Sequence, residues 1–115
     1  MPPFKLEIEK TPESNDALTV YKASGKLALE TVNQFLPELR AETAQRVILD
    51  MSGVSFVDSA GVGALVSLFV SRRNQGKQFG LAGLQPQAVA VVTVAGLQNL
   101  LPIHKTIEEA AAKSA

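Results

Sequence analysis

Hydrophobic and polar positions change rhythm along the chain, and the changes mark its elements. Phe4, Leu6 and Ile8 alternate with Lys5, Glu7 and Glu9, the period of two that sets one face of a strand on a core. Pro12, Asn15 and Asp16 supply turn chemistry before a second strand, Leu18 to Ala23. Ser24-Gly25-Lys26 then reads as a tight hairpin turn into a short strand around Leu27. Between Thr31 and Thr43, Val32, Phe35, Leu36 and Leu39 follow helical spacing. Pro37 interrupts it, which predicts a kink or a restart near Leu36. Arg46 to Leu49 is almost continuously apolar after its first residue, as a short central strand of a parallel sheet is.

The strongest periodicity is Val62, Leu65, Val66, Phe69 and Val70, spaced i, i+3, i+4, i+7, i+8. Arg72 and Arg73 suit the negative end of that helix, and Gly76 suits its left-handed stop. Gln78 to Ala82 is the next strand. The segment AVAVVTVA fits strand or helix by propensity, and Pro86 before it and Gly96 after it decide for helix. Leu101 to Ile103 gives a last short strand, and Thr106 with Glu109 forms the capping box of a final helix, Ile107 to Lys113. Strands come first and then alternate with helices, so the expected class is α/β. The expected architecture is a mixed sheet with right-handed crossovers and helices packed largely on one face.

Composition narrows the function classes. The 115 residues are 46% hydrophobic and 19% charged, the balance of one folded domain spanning residues 1–115. Eleven basic and eleven acidic residues cancel, and no Lys/Arg run offers a surface for nucleic acid. No cysteine is present, which removes thiol nucleophiles and thiolate metal sites, and with a single histidine, His104, a metal centre would rest mainly on carboxylates. The N-terminus MPPFKLEIEKTPE lacks the apolar stretch of a signal peptide, and no apolar run reaches membrane-spanning length, so a cytoplasmic protein is expected.

Between the apolar runs RVIL and ALVSLFV lies FVDSAGVG, with an acid, a hydroxyl and two glycines. A hydrolase nucleophile elbow would need glycine at Val57 and a base that only His104 could provide. Ser24-Gly25-Lys26-Leu27 has the Gly-Lys pair of a phosphate loop, but Val20 and Leu27 stand where glycine and Ser/Thr are required. Gly61-x-Gly63 starts a dinucleotide fingerprint that Val66 ends. Asp50 and Asp58 bracket a loop and could hold magnesium, although turn and dipole roles explain both; His104 reads as an ordinary edge residue. Ser59 itself reads as an N-cap or first-turn residue. Glycine inside a first turn weakens a helix, so Gly61 and Gly63 are expected to keep the turn bare for a partner's surface.

The run VILDMSGVSFVDSAGVGAL resembles the signature of the STAS domain, in the branch of bacterial anti-sigma factor antagonists. The similarity continues through QFGLAG, the Pro86 to Leu97 segment and the closing Ile107-Glu108-Glu109-Ala110, and covers most of the chain from about Leu18. The resemblance implies a STAS-type sheet of about four to six strands with about four helices. It also implies a regulator with no catalytic residue, cofactor or metal. Unphosphorylated, such a protein binds an anti-sigma factor that is also a serine kinase and frees the sigma factor. Carried over by position, Ser59 is the phosphoacceptor, Asp58, Ala60, Gly61 and Gly63 form the partner surface with it, and a serine phosphatase resets the switch. Many members carry an acidic residue after the turn where this chain reads Gly25-Lys26-Leu27-Ala28, so Ala28 is expected to alter the partner contact. The alternative is a STAS scaffold subunit of a stress-signalling assembly or a lipid-transport complex. The apolar helix after Pro86 allows a homodimer.

Overall fold

The computed structural model describes residues 5–12, 14–15 and 17–112. Nine elements follow in order: β1 (Leu6–Lys10), β2 (Leu18–Leu27), α1 (Val32–Arg40), β3 (Arg46–Val57), α2 (Ser59–Asn74), β4 (Gln78–Ala82), α3 (Pro86–Val94), β5 (Ile103–His104) and α4 (Ile107–Ala112). The five strands form one mixed sheet in chain order, with β1 antiparallel to β2 and the other neighbours parallel. Parallel neighbours require crossovers, which α1, α2 and α3 provide.

Alternation along each strand divides the core in two. Tyr21, Val47, Leu49, Met51, Phe79 and Leu81 face a large cluster built with Phe35 and Leu39 of α1, Leu65 and Leu68 of α2, and Ala88 and Val92 of α3. Val20, Ile48 and Ala82 point the other way, onto Ile107 and Ala110 of α4. The α/β class and the helices largely on one face are as expected. Among the described residues, helix α4 alone packs on the reverse side.

Four local expectations are corrected. Ser24-Gly25-Lys26 is not a hairpin turn: β2 runs straight through it, absorbing register shifts against β3 at Lys22/Ser24 and Gly25/Lys26. Gly25 adopts φ +111°, and a side chain there would strike the Lys5 carbonyl of β1, so the glycine serves strand pairing. Strand β3 does not stop at Leu49 but continues to Val57, because the far half of β2 pairs with it as far as Leu27↔Val57. Helix α1 passes through Pro37 without a restart. The carbonyl that proline leaves without a donor belongs to exposed Asn33. The last strand is Ile103–His104, displaced from 101–103 by its pairing with Leu81 and Ala82. Phe4 and Lys113 lie outside the described residues.

The capping box forms in altered shape. Thr106 Oγ1 accepts from the Glu109 amide at 3.0 Å, and Glu109 reaches back to the Lys105 amide at 3.4 Å. Arg72, read as a dipole partner, is buried. Its guanidinium donates to the carbonyls of Gln78, Glu42 and Ala44, joining α2 to β4 and to the loop after α1.

Beside it lies the strongest polar network of the fold. Glu42, whose side chain is 6% exposed, accepts from the Tyr21 hydroxyl at 2.8 Å and the Ala44 amide at 2.8 Å, and pairs with Lys10 at 3.2 Å. Burial opposes its ionisation, but the donors from Ala44, Tyr21, Lys10 and Thr19 outweigh burial and hold its pKa at about 2. A carboxylate held below its ordinary 4.5 stabilises the fold above that pH and loses the contribution as pH falls toward 2. The shift corresponds to roughly 3 kcal/mol. Urea unfolding at pH 7, 4 and 2.5 should show this loss in the parent, and Glu42→Gln should flatten the profile. An unchanged pH slope in Glu42→Gln would remove Glu42 as its source.

Candidate functional site

Strand β3 delivers Val57, Asp58 and Ser59 to the edge of the fold. Asp58 is extended (φ −103°, ψ −175°) and is the N-cap of α2, its Oδ1 accepting from the Gly61 amide at 2.8 Å. Its Oδ2 accepts from the Leu29 amide at 3.1 Å, in the turn between β2 and α1. One carboxylate therefore fastens two segments 29 residues apart. A serine cap could satisfy only the first. The β2–α1 turn is in turn held by buried Thr31, whose Oγ1 accepts from Ala28 N at 3.0 Å and donates to Lys26 O at 2.8 Å.

With Asp58 as the cap, Ser59 is the first helical residue. It is exposed, and its hydroxyl has no hydrogen-bond partner among the described residues. The reading of Ser59 as a first-turn residue holds, and the capping role passes to Asp58. Ala60 is half-buried.

The two glycines separate. Gly61 is buried, and a Cβ there would collide with the Leu27 carbonyl and sit 3.0 Å from Val57 Cγ1. Its bareness lets α2 approach the end of β2, which corrects the expectation that both glycines clear space for a partner. Gly63 is exposed with nothing within 4 Å of its would-be Cβ. Only Gly63 leaves the outer surface bare.

Ala28 is 0% exposed, so its side chain offers nothing to a partner. Its neighbours Leu29, 67% exposed, and Glu30 form the surface of that turn. Sequence reasoning missed Leu29, and it also missed Gln87. The Gln87 amide grips Val57 with both ends, Oε1 accepting from the Val57 amide at 2.8 Å and Nε2 donating to its carbonyl at 2.9 Å. Gln85 Nε2 donates to Ser52 O at 2.8 Å. Strand β4 stops pairing at Asp50, so these side chains take the place of a strand along the second half of β3. No local pattern in the sequence signals that substitution.

Between α2 and α3 runs a groove of about 630 Å³ with Ser59 at its lip and Val62, Gly63, Val66, Val91 and Val94 along its walls. Among the described residues no charged side chain lines it. Helix α3, apolar nearly all round, is covered on one side only: Ala88 and Val92 are buried, whereas Val94 is 89% exposed.

His104 lies on β5 with Nδ1 3.8 Å from Glu109, and lines a different cavity from Ser59. Asp50 Oδ1 accepts from the Ser52 amide at 3.0 Å, and both Asp58 oxygens hold backbone amides. Among the described residues no group of three metal-ligating side chains gathers, and no helix is long and apolar enough to cross a membrane.

Comparison with known proteins agrees with this geometry. The family model for the STAS domain matches residues 7–110. An anti-sigma-B factor antagonist of Staphylococcus aureus is 24% identical over 108 residues, covering 91% of this chain and 98% of that protein. The anti-sigma factor antagonist SpoIIAA, solved in its unphosphorylated form, superposes with TM-score 0.71 at 22% identity over 94% of this chain and 92% of its own. The phosphorylated form of SpoIIAA from Bacillus gives TM-score 0.67 at 22% identity, over 95% of this chain and 96% of its own. The murine anion transporter Slc26a9 carries the same fold, with TM-score 0.75 at 23% identity over 87% of this chain but only 18% of the transporter.

The glycine assignment predicts opposite outcomes for two like substitutions. Gly61→Ala should lower stability by roughly 1–3 kcal/mol through overpacking against Leu27. Gly63→Ala should raise it by up to about 1 kcal/mol, since a helical glycine is replaced where there is room. Thermal unfolding of the two variants distinguishes them, and equal shifts would contradict the packing described.

Proposed function

The chain belongs to the STAS domain family, and from that premise we propose that it is an anti-sigma factor antagonist switched by phosphorylation of Ser59. Unphosphorylated, it binds an anti-sigma factor that is also a serine kinase, and so frees the sigma factor. Transfer of phosphate to Ser59 ends that binding, and a serine phosphatase restores it. The protein catalyses nothing in this cycle, which takes place in the cytoplasm.

The observation that carries the reading is the setting of Ser59: an exposed hydroxyl on the first turn of a helix, with no hydrogen-bond partner among the described residues, at the lip of an apolar groove. A kinase can reach such a hydroxyl without unfolding anything. A phosphate there adds about −1.5 to −2 charge at pH 7, beside a helix N-terminus whose dipole tolerates it, so the fold survives. Against a partner's desolvated surface the same charge, next to Asp58 and the apolar groove, is unfavourable. Each 1.4 kcal/mol of that cost lowers affinity about tenfold. Asp58, Ala60 and Gly63 form the contact with Ser59, with Gly61 shaping the turn from within. Exposed Leu29 joins them, because Asp58 holds its backbone against the same turn.

Incubation with ATP and the cognate anti-sigma kinase, followed by mass spectrometry, should place phosphate on Ser59 and none on Ser59→Ala. In binding assays Ser59→Ala should bind as the parent does, and Ser59→Asp should lose on the order of tenfold or more in affinity. Both should unfold at the parent's temperature within a few degrees. Phosphate on another residue, or undiminished binding by Ser59→Asp, would refute the switch.

A further inference from the structure

At the opposite end of α2 from Ser59, about 21 Å along the helix, a second cavity of about 390 Å³ wraps the free edge of β4. Three features of it have no role in the fold. The first is charge. Arg73 and Lys77 line it, and among the described residues neither makes an ion pair. Arg46 lines it as well, but its guanidinium is engaged in the fold, donating to the Ala110 and Ala111 carbonyls at 3.1 Å. Among the described residues no Asp or Glu lines it; Glu109 approaches one lining residue, with its Oε1 3.8 Å from His104 Nδ1. In a chain of zero net charge, Arg73 and Lys77 are a local concentration of two cations.

The second feature is an open strand edge. Leu81 and Gly83 donate to the carbonyls of Pro102 and His104, and alternation turns the Phe79 N–H and C=O to the same side. Strand β5 pairs only with Leu81 and Ala82, so it does not reach Phe79. A backbone donor therefore faces the cavity beside the cations. The third feature is Gly80, in the middle of β4. A Cβ there would meet only His104 Cδ2 at 3.8 Å and Pro102 O at 4.0 Å, so packing does not require glycine. An interior strand glycine without a packing reason marks a place where a ligand approaches the backbone. Phe69, Phe79 and Pro102 add flat apolar wall.

We propose that this cavity binds a small organic anion, a phosphate or carboxylate head group on a flat apolar body. The head group sits between Arg73, Lys77 and the Phe79 amide, and the body lies against Phe69 and Pro102. This site is independent of the Ser59 switch and requires none of its residues.

Titration of the ¹⁵N-labelled full chain with phenyl phosphate tests it, with benzoate, inorganic phosphate and phenol as separate arms. Phenyl phosphate or benzoate should shift the Lys77 to Gly80 amides saturably and bind at least about tenfold more tightly than inorganic phosphate or phenol. The double variant Arg73→Gln/Lys77→Gln should weaken binding by on the order of tenfold or more. Gly80→Val should fill the cavity and abolish binding, whereas Ser59→Ala should leave it unchanged. No saturable shift, equal affinity for inorganic phosphate alone, or undiminished binding by the double variant would each overturn the proposal.

Discussion

The Asp58 carboxylate is the constraint on which the rest of the site depends. Its two oxygens hold the Gly61 amide and the Leu29 amide, so the start of α2 and the turn after β2 form one unit. Hydrogen bonds to an ionised acceptor are among the stronger ones a protein makes, and losing this carboxylate would strand two donors at once. Gly61 makes the arrangement possible by letting the helix come against the Leu27 carbonyl. The exposed Ser59 hydroxyl is a consequence: with Asp58 in the capping role, the serine beside it has no structural task.

That unit is carried on an unusually supported strand end. Strand β3 outruns β4 by its whole second half, and an unpaired backbone there would be exposed to local opening. Gln85 and Gln87 prevent this by bonding Ser52 and Val57. The same helix that supplies Gln87 forms the far wall of the apolar groove, so the groove and the serine turn are held in one frame. Such rigidity lowers the ordering cost of any binding at this surface.

The two ends of α2 differ in chemistry. At its N-terminus the surroundings are apolar apart from Asp58 and Ser59; at its C-terminus, buried Arg72 satisfies carbonyls while Arg73 faces a basic cavity. The Glu42 network lies near Arg72 and stabilises that end of the fold. The Glu42 network and Ser59 thus lie on different parts of the molecule.

The sequence alone determined the α/β class, the helix at Val62 to Val70, the Pro86 start of α3, the Thr106–Glu109 cap and the place of Asp58-Ser59 at the start of a helix. Each of these rests on residues within a few positions of one another, where periodicity, capping and dipoles act. Only the tertiary structure decided that Ser24-Gly25-Lys26 continues a strand, that β3 reaches Val57, and that Arg72 is buried. It also separated Gly61 from Gly63, buried Ala28 while exposing Leu29, and set Gln87 on Val57. These outcomes depend on what lies across the sheet or against the helix, from segments tens of residues away, and a one-dimensional pattern holds no record of those neighbours.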